Sequence, residues 1–215
     1  MTPVLEFLPR TVPADPGRPK LADDRRPIRE ITRQIAFEPG GWTPARAAHV
    51  AAMFDGLAPC WHERPAARRH EAVDDALARG GPYPSGPCLE VGSGTGLVTP
   101  RLAARFSPLV SMDLSPGMLA LASPDTFRLQ ADSSTLPVRD GAAAVVALVN
   151  MFLFPAEIAR VLAPGGVVVW VNTLGDATPI HLPAADVAAV LPGDWHGVAA
   201  DAGWGTWATF RRAAA

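Results

Sequence analysis

From residue 43 onward the chain alternates helical stripes with short apolar runs. Thr43-Pro44 reads as an N-cap with proline at the first helical position, and Val50, Met53, Phe54 and Leu57 follow at helical spacing. A second helix is predicted over 65–78, stopped by Gly80-Gly81. After a Pro-rich turn, Cys88–Val91 reads as a buried strand leading into a glycine loop and a helix over 97–105. A strand over 109–112, a helix from Pro116 and a strand over 126–130 come next. The run 143–149 is wholly apolar, the pattern of a strand covered on both faces. A helix over 155–162 ends at Pro164-Gly165-Gly166, before a strand over 167–171 and a short helix over 183–190. Two last strands are expected near 197–199 and 206–210, across the turn Gly203–Gly205. Strands alternating with helices predict an α/β fold, a parallel sheet with helices on both faces.

The first part of the chain reads differently. Pro3, Pro9, Pro13, Pro16, Pro19 and Pro27 remove backbone donors and forbid helix interiors, so an extended arm is expected. The resulting division is a Pro-rich arm over 1–42, a helical lid over 43–81 and a core over 82–215.

Composition narrows the function. The 215 residues are 48% hydrophobic and 19% charged, enough apolar material for a packed core. Nineteen Lys and Arg stand against 21 Asp and Glu, with no basic run, which disfavours nucleic-acid partners. Lys20 is the only lysine. Two cysteines make neither a disulfide framework nor a four-thiolate zinc site, and no histidine spacing suggests any other metal. The longest apolar run, 142–149, is too short to span a bilayer, and the N-terminal residues lack a signal-peptide pattern. A cytoplasmic protein without a membrane partner is the expectation. The arm is long enough to reach a second protomer, which leaves a homodimer open.

The chemistry centres on Leu89-Glu90-Val91-Gly92-Ser93-Gly94-Thr95-Gly96, at the carboxyl end of the first core strand, where open α/β sheets bind ligands. Leu97 replaces the third glycine of the nicotinamide fingerprint, which weakens a dinucleotide reading. This E-x-G-x-G-x-G pattern resembles the first motif of the class I S-adenosylmethionine-dependent methyltransferases. Three more stretches are similar to that family: Val110-Ser111-Met112-Asp113-Leu114-Ser115, residues 129–137 around Asp132-Ser133, and residues 157–166 ending in Pro164-Gly165-Gly166. The resemblance implies a Rossmann-like seven-stranded methyltransferase sheet with an N-terminal helical lid, binding S-adenosylmethionine. It implies that Glu90 contacts the methionine moiety, with Gly92, Ser93, Gly94 and Gly96 forming the loop around the cofactor. Asp113, followed by Leu114, would accept from the ribose hydroxyls, Asp132 would contact the adenine amino group and Ser133 would offer a backbone donor.

The acceptor is less legible. Asn150 fits the first position of the [ND]-P-P-[YF] element of amino-methylating relatives, but Met151 and Phe152 replace both prolines, against nucleic-acid bases or glutamine as substrates. Asn150 then reads either as a cofactor or acceptor contact or as a strand cap. Phe54-Asp55-Gly56-Leu57-Ala58 is similar to the F-D-x-[IL]-A segment of quinone and small-molecule methyltransferases, whose N-terminal helices form a lid. Trp42, Phe54, Trp61 and Phe152 are candidates for an apolar acceptor pocket, or simply for packing. His62 and His181 are the candidate general bases, His49 and His70 read as solvent-facing, and Cys60 as an inert buried thiol. No G-x-S-x-G elbow supports a hydrolase. The sequence thus points to transfer of a methyl group to a small molecule. A protein or RNA acceptor and a non-catalytic methyltransferase-like subunit are the alternatives.

Overall fold

A computed structural model describes residues 4–20, 26–63 and 68–212, the side chains of 26, 62 and 63 excepted. Its centre is an eight-stranded sheet in the order β1-β7-β8-β6-β5-β2-β3-β4. The strands are β1 (Val4–Phe7), β2 (Cys88–Val91), β3 (Leu109–Asp113), β4 (Arg128–Gln130), β5 (Ala143–Val149), β6 (Leu162–Asn172), β7 (Trp195–Ala202) and β8 (Gly205–Arg212). Only β8 runs antiparallel, between β6 and β7; the other pairings are parallel.

Period-two alternation along β5 builds two cores. Val146 and Leu148 pack with Trp170, Ile158 and Val187 on one face. Val145 and Ala147 pack with Val73, Leu102 and Trp207 on the other. The helices on these faces are α3 (Glu71–Arg79) and α4 (Thr99–Arg105) opposite α6 (Pro155–Val161) and α7 (Ala184–Val190), with α5 (Pro116–Ala120) following β3. A third cluster lies beyond the strand ends, where Phe152 and Phe154 meet Ile35 of α1 (Arg26–Phe37), Val50 of α2 (Pro44–Leu57) and Ile180.

Two elements of the N-terminal part exceed the sequence reading. Val4–Phe7 is a strand that adds parallel to β7, so the sheet has eight strands and not seven. Residues 26–37 are helical: Pro27 sits in the first turn, where its missing N–H costs nothing, and Ile28, Ile31 and Ile35 make the stripe. The described arm after β1 is anchored to the core. Leu8 and Val12 pack on the core, and Thr11 donates to Asp75. The helix expected over 65–78 begins at Glu71, with a turn over 68–70; residues 64–67 lie outside the described residues.

Asp75 is the knot between arm, α3 and β8. It is 7% exposed, and it accepts from Thr11 Oγ1 (3.0 Å), Arg79 Nε (2.8 Å) and Trp207 Nε1 (2.6 Å). Burial pushes its carboxyl up, but the hydrogen bonds from Arg79, Trp207 and Thr11 prevail and hold it below the usual aspartate range. A depressed native pKa stabilises the fold above the unfolded value, and that contribution is lost as pH falls through the native value. Asp75→Ala strands a buried indole N–H and a guanidinium, so a loss of about 3 kcal/mol is expected in urea unfolding at pH 7. The penalty should shrink toward pH 2. A loss below about 0.5 kcal/mol at pH 7 would remove Asp75 from this role.

Candidate active site

β2 lies between β3 and β5, and its two neighbours continue the chain in opposite directions across the sheet. Its carboxyl end is therefore the switch point where an α/β sheet leaves a crevice. The loop that follows turns on residues with positive φ. Gly92 (φ 76°) passes so close to Met151 that a β-carbon would stand 2.3 Å from its sulfur, whereas a β-carbon on Gly94 (φ 57°) would meet only open space. Backbone thus comes to the crevice with nothing in front of it.

Glu90 forms the floor. It is 2% exposed and shares its sheet face with Cys88. The register pairs it with Ser111, whose hydroxyl donates to Oε2 at 2.7 Å; Thr99 of α4 donates to the same oxygen at 2.6 Å. Oε1 is buried without a hydrogen-bond partner. Burial drives the Glu90 pKa up to about 7, the bonds from Ser111 and Thr99 oppose it, and the nearby Asp113 carboxylate adds to the rise.

Asp113, at the end of β3, accepts from Gly94 N–H at 2.7 Å and from Ser115 N–H at 2.8 Å. Burial pushes its carboxyl up, with Asp55 contributing, while the backbone N–H bonds oppose. Asp55 comes from α2 and accepts from the Ser115 hydroxyl (2.5 Å) and Gly117 N–H (2.8 Å), pinning α2 to the start of α5.

These residues border one cleft of about 800 Å³. Glu90, Gly92, Ser93, Gly94, Asp113, Leu114 and Ser133 line its inner end. Trp42, Phe54, Trp61 and Phe152, the aromatics read as pocket candidates, line the part beneath α1 and α2. Trp42 sits edge-on to Phe154 at 5.3 Å and tilted to Phe152 at 6.0 Å, and Phe54 meets Trp61 at 6.0 Å.

Other candidates stand elsewhere. Gly96 adjoins Thr99, not the cleft. Asp132 is not at the cleft wall: its carboxylate accepts from Trp42 Nε1 (3.0 and 3.1 Å) and from Ser134 N–H. Asn150 borders the cleft in a left-handed conformation (φ 52°), and its side chain both donates to Thr173 Oγ1 and accepts from Thr173 N–H. It therefore clasps the end of β5 to β6, the strand-cap alternative. His181 lies off the cleft lining, and burial, then the Arg29 charge, lowers its pKa. The side chain of His62 lies outside the described residues. His49 is exposed, as expected, at the rim of the cleft, whereas His70, read as solvent-facing, is half-buried and borders it too. Cys60 is exposed, contrary to the buried thiol expected. Asp55, which lies in the F-D segment, and Thr99 join the site through contacts that their sequence positions do not signal.

Among the described residues no group of three His, Cys, Asp or Glu side chains is placed to hold a metal, and no helix is long and apolar enough to cross a membrane.

Sheet order, switch-point loop and acidic strand ends define the class as a Rossmann-like methyltransferase fold. Residues 89–170 match the family described as a methyltransferase domain. A malonyl-[acyl-carrier protein] O-methyltransferase of Dechloromonas aromatica is 30% identical over 152 residues, 66% of this chain and 57% of that protein. An uncharacterized methyltransferase of Mycobacterium tuberculosis is 36% identical over 105 residues, 45% of this chain and 42% of that one. The chain spans about half the length of these curated relatives. Among solved structures, a Thermotoga maritima methyltransferase described as a possible histamine N-methyltransferase aligns with TM-score 0.58 and 13% identity, covering 75% of this chain and 99% of that one. A Methanococcus maripaludis protein assigned as an S-adenosyl-L-methionine-dependent methyltransferase gives 0.54 and 17%, covering 76% and 92%. Over residues 89–170 the chain thus carries a stretch similar to methyltransferase domains, set in the Rossmann-like fold of such enzymes.

Glu90 gives a test by pH. Its native pKa stands above the unfolded 4.5, so its contribution is complete below pH 4.5 and is lost as pH rises through about 7. Glu90→Gln is expected to flatten this decline, so that the variant's melting temperature relative to wild type improves between pH 5 and pH 8. Parallel curves for the two proteins would show that Glu90 does not titrate in this window.

Proposed function

We propose that the chain transfers the sulfonium methyl of S-adenosylmethionine to a small molecule bound in the aromatic part of the cleft. The observation that carries this is the unpartnered, buried Oε1 of Glu90 at the inner end of the cleft. A buried carboxylate oxygen without a donor is costly, and the α-ammonium of the cofactor's methionine moiety is the donor that suits it. The residues present fit the cofactor. Asp113 accepts from Gly94 N–H on one oxygen and from Ser115 N–H on the other, which leaves lone pairs for two ribose hydroxyls. The open face of Gly94 admits the ligand against backbone, while Leu114 and Ser133 border the region left for adenine. Asp132 acts through Trp42, whose indole it fixes.

Bound S-adenosylmethionine supplies an electrophilic methyl on a good leaving group, so orientation and exclusion of water are the protein's main tasks. Phe152, Trp42, Phe54 and Trp61 exclude water from the transfer site, and α1 and α2 act as its lid. Asp55 fastens that lid to the helix following the ribose-binding strand. The apolar lining favours a small acceptor over a protein or RNA group. The name of the Dechloromonas relative, which specifies a malonyl-carrier substrate, keeps a carrier-bound acyl group as a second reading.

Calorimetric titration with S-adenosylmethionine, S-adenosylhomocysteine and NAD tests the cofactor. Micromolar binding of the two sulfur compounds and none of NAD is expected; the reverse order would overturn the reading. Asp113→Ala should weaken S-adenosylhomocysteine binding more than tenfold by removing charged acceptors. An unchanged dissociation constant would take the ribose role from Asp113. Affinity for S-adenosylhomocysteine should also rise from pH 5.5 to pH 8, because the ammonium prefers the ionised Glu90 and the proton must leave first.

A further inference from the structure

Charge is sharply zoned along the cleft. The carboxylates in its lining are Glu90 and Asp113, both at the inner end. The remaining charged lining residues are cations: Lys20 from the arm, Arg46 from α2 and Arg69 from the turn before α3. Helix α2 shows how this arises. Arg46, His49, Val50, Met53, Phe54 and Leu57 recur at helical spacing and all face the cleft. The first two positions of the stripe are basic or imidazole, and the last four are apolar. One helix face therefore carries the Arg46 cation in line with the apolar residues of the aromatic chamber.

Among the described residues, Asp55 is spent on Ser115 and Gly117, Asp132 on Trp42 and Ser134, and Asp176 on Arg18. Among the described residues no carboxylate pairs with Lys20 or Arg46. Arg46 is part-buried and donates to the Gly41 carbonyl, which leaves most of its five N–H groups. Lys20 and Arg46, without a carboxylate partner among the described residues, raise the local concentration of anions and gain most from one that fills the cleft.

We propose that the acceptor is an organic anion with an apolar body, its carboxylate or phosphate group held by Arg46 and Lys20 while the body enters the Trp42, Phe54, Trp61 and Phe152 chamber. This rests on the methyltransferase reading, and it assigns Arg46 and Lys20 as specificity residues for the acceptor. The zoning serves both ligands. The acids at the inner end suit a cationic cofactor, and the cations further out suit an anion and disfavour a second cation.

Binding of matched naphthalene probes tests this without turnover. 2-Naphthoate, 2-naphthyl phosphate and the neutral 2-naphthamide are titrated calorimetrically into the protein, with and without saturating S-adenosylhomocysteine. At least one acid is expected to bind about tenfold more tightly than the amide, the size of one charge-assisted contact. Which acid is preferred distinguishes a carboxylate from a phosphate acceptor. Arg46→Gln should abolish most of that preference while leaving the affinity for 2-naphthamide and S-adenosylhomocysteine within about twofold. Lys20→Gln alters an exposed arm side chain and carries the test if Arg46→Gln does not fold. Equal binding of acids and amide, no binding of either acid, or an unchanged preference in both variants overturns the proposal. Failure of S-adenosylhomocysteine to bind wild type overturns the cofactor reading instead, and the probe comparison without it still decides the anion question.

Discussion

The arrangement depends on a carboxylate placed where water does not reach. Glu90 is fixed from two directions, by Ser111 on the neighbouring strand and by Thr99 on the helix that follows the glycine loop. Those bonds tie β2, β3 and α4 together at the switch point, so the loop between them has a defined course. They satisfy one oxygen and leave the other bare. The bare oxygen is a stability defect in the isolated chain and a binding determinant once a cation arrives, and the same burial that raises the pKa to about 7 strengthens that later contact.

The second constraint is that strand ends alone make only an open crevice. The N-terminal part packs against the sheet at two separate places. Helices α1 and α2 pack on Phe152 and Phe154 beyond the end of β5, and Asp55 fixes α2 to the start of α5. The arm reaches the far edge of the sheet as β1 and is held again at Asp75. Because Asp55 bonds Ser115 while Asp113 bonds the N–H of that same residue, cover and floor share a single turn of chain. A displacement of α2 is therefore felt by the β3–α5 turn directly.

Much of this was legible in sequence, for local reasons. The strand over 143–149 matches β5 because an unbroken apolar run has no other comfortable place than the middle of a parallel sheet. Helix starts at Pro44, Pro116 and Pro155 follow from proline's fixed φ. The motif residues at the ends of β2 and β3 were found because glycine and acid spacing is nearly contiguous there. What escaped was set by tertiary partners. β1 is four residues long and becomes a strand only because β7 offers an edge. Helix α1 was hidden among prolines, although Ile28, Ile31 and Ile35 carried its period. The sequence could not show that Asp132 would face an indole, that Asn150 would clasp Thr173, or that His49 and His70 rather than His181 would border the cleft. Each depends on which side chain arrives from a distant element.

The histidine result bears on how the reaction is run. Burial and Arg101 lower the pKa of His70, so at neutral pH it is an uncharged hydrogen-bonding group rather than a further cation of the cleft. His181, the other half-buried imidazole whose pKa is lowered, stands away from the lining. A base is needed only where the nucleophile keeps its proton near neutral pH. On the proposed reading, charge supplied by Lys20 and Arg46 and desolvation supplied by the aromatic chamber work on one acceptor. The first holds its anionic group, and the second keeps water from the atom that takes the methyl group. On that reading the protein's catalytic contribution lies in the zoning of its cleft more than in any single side chain.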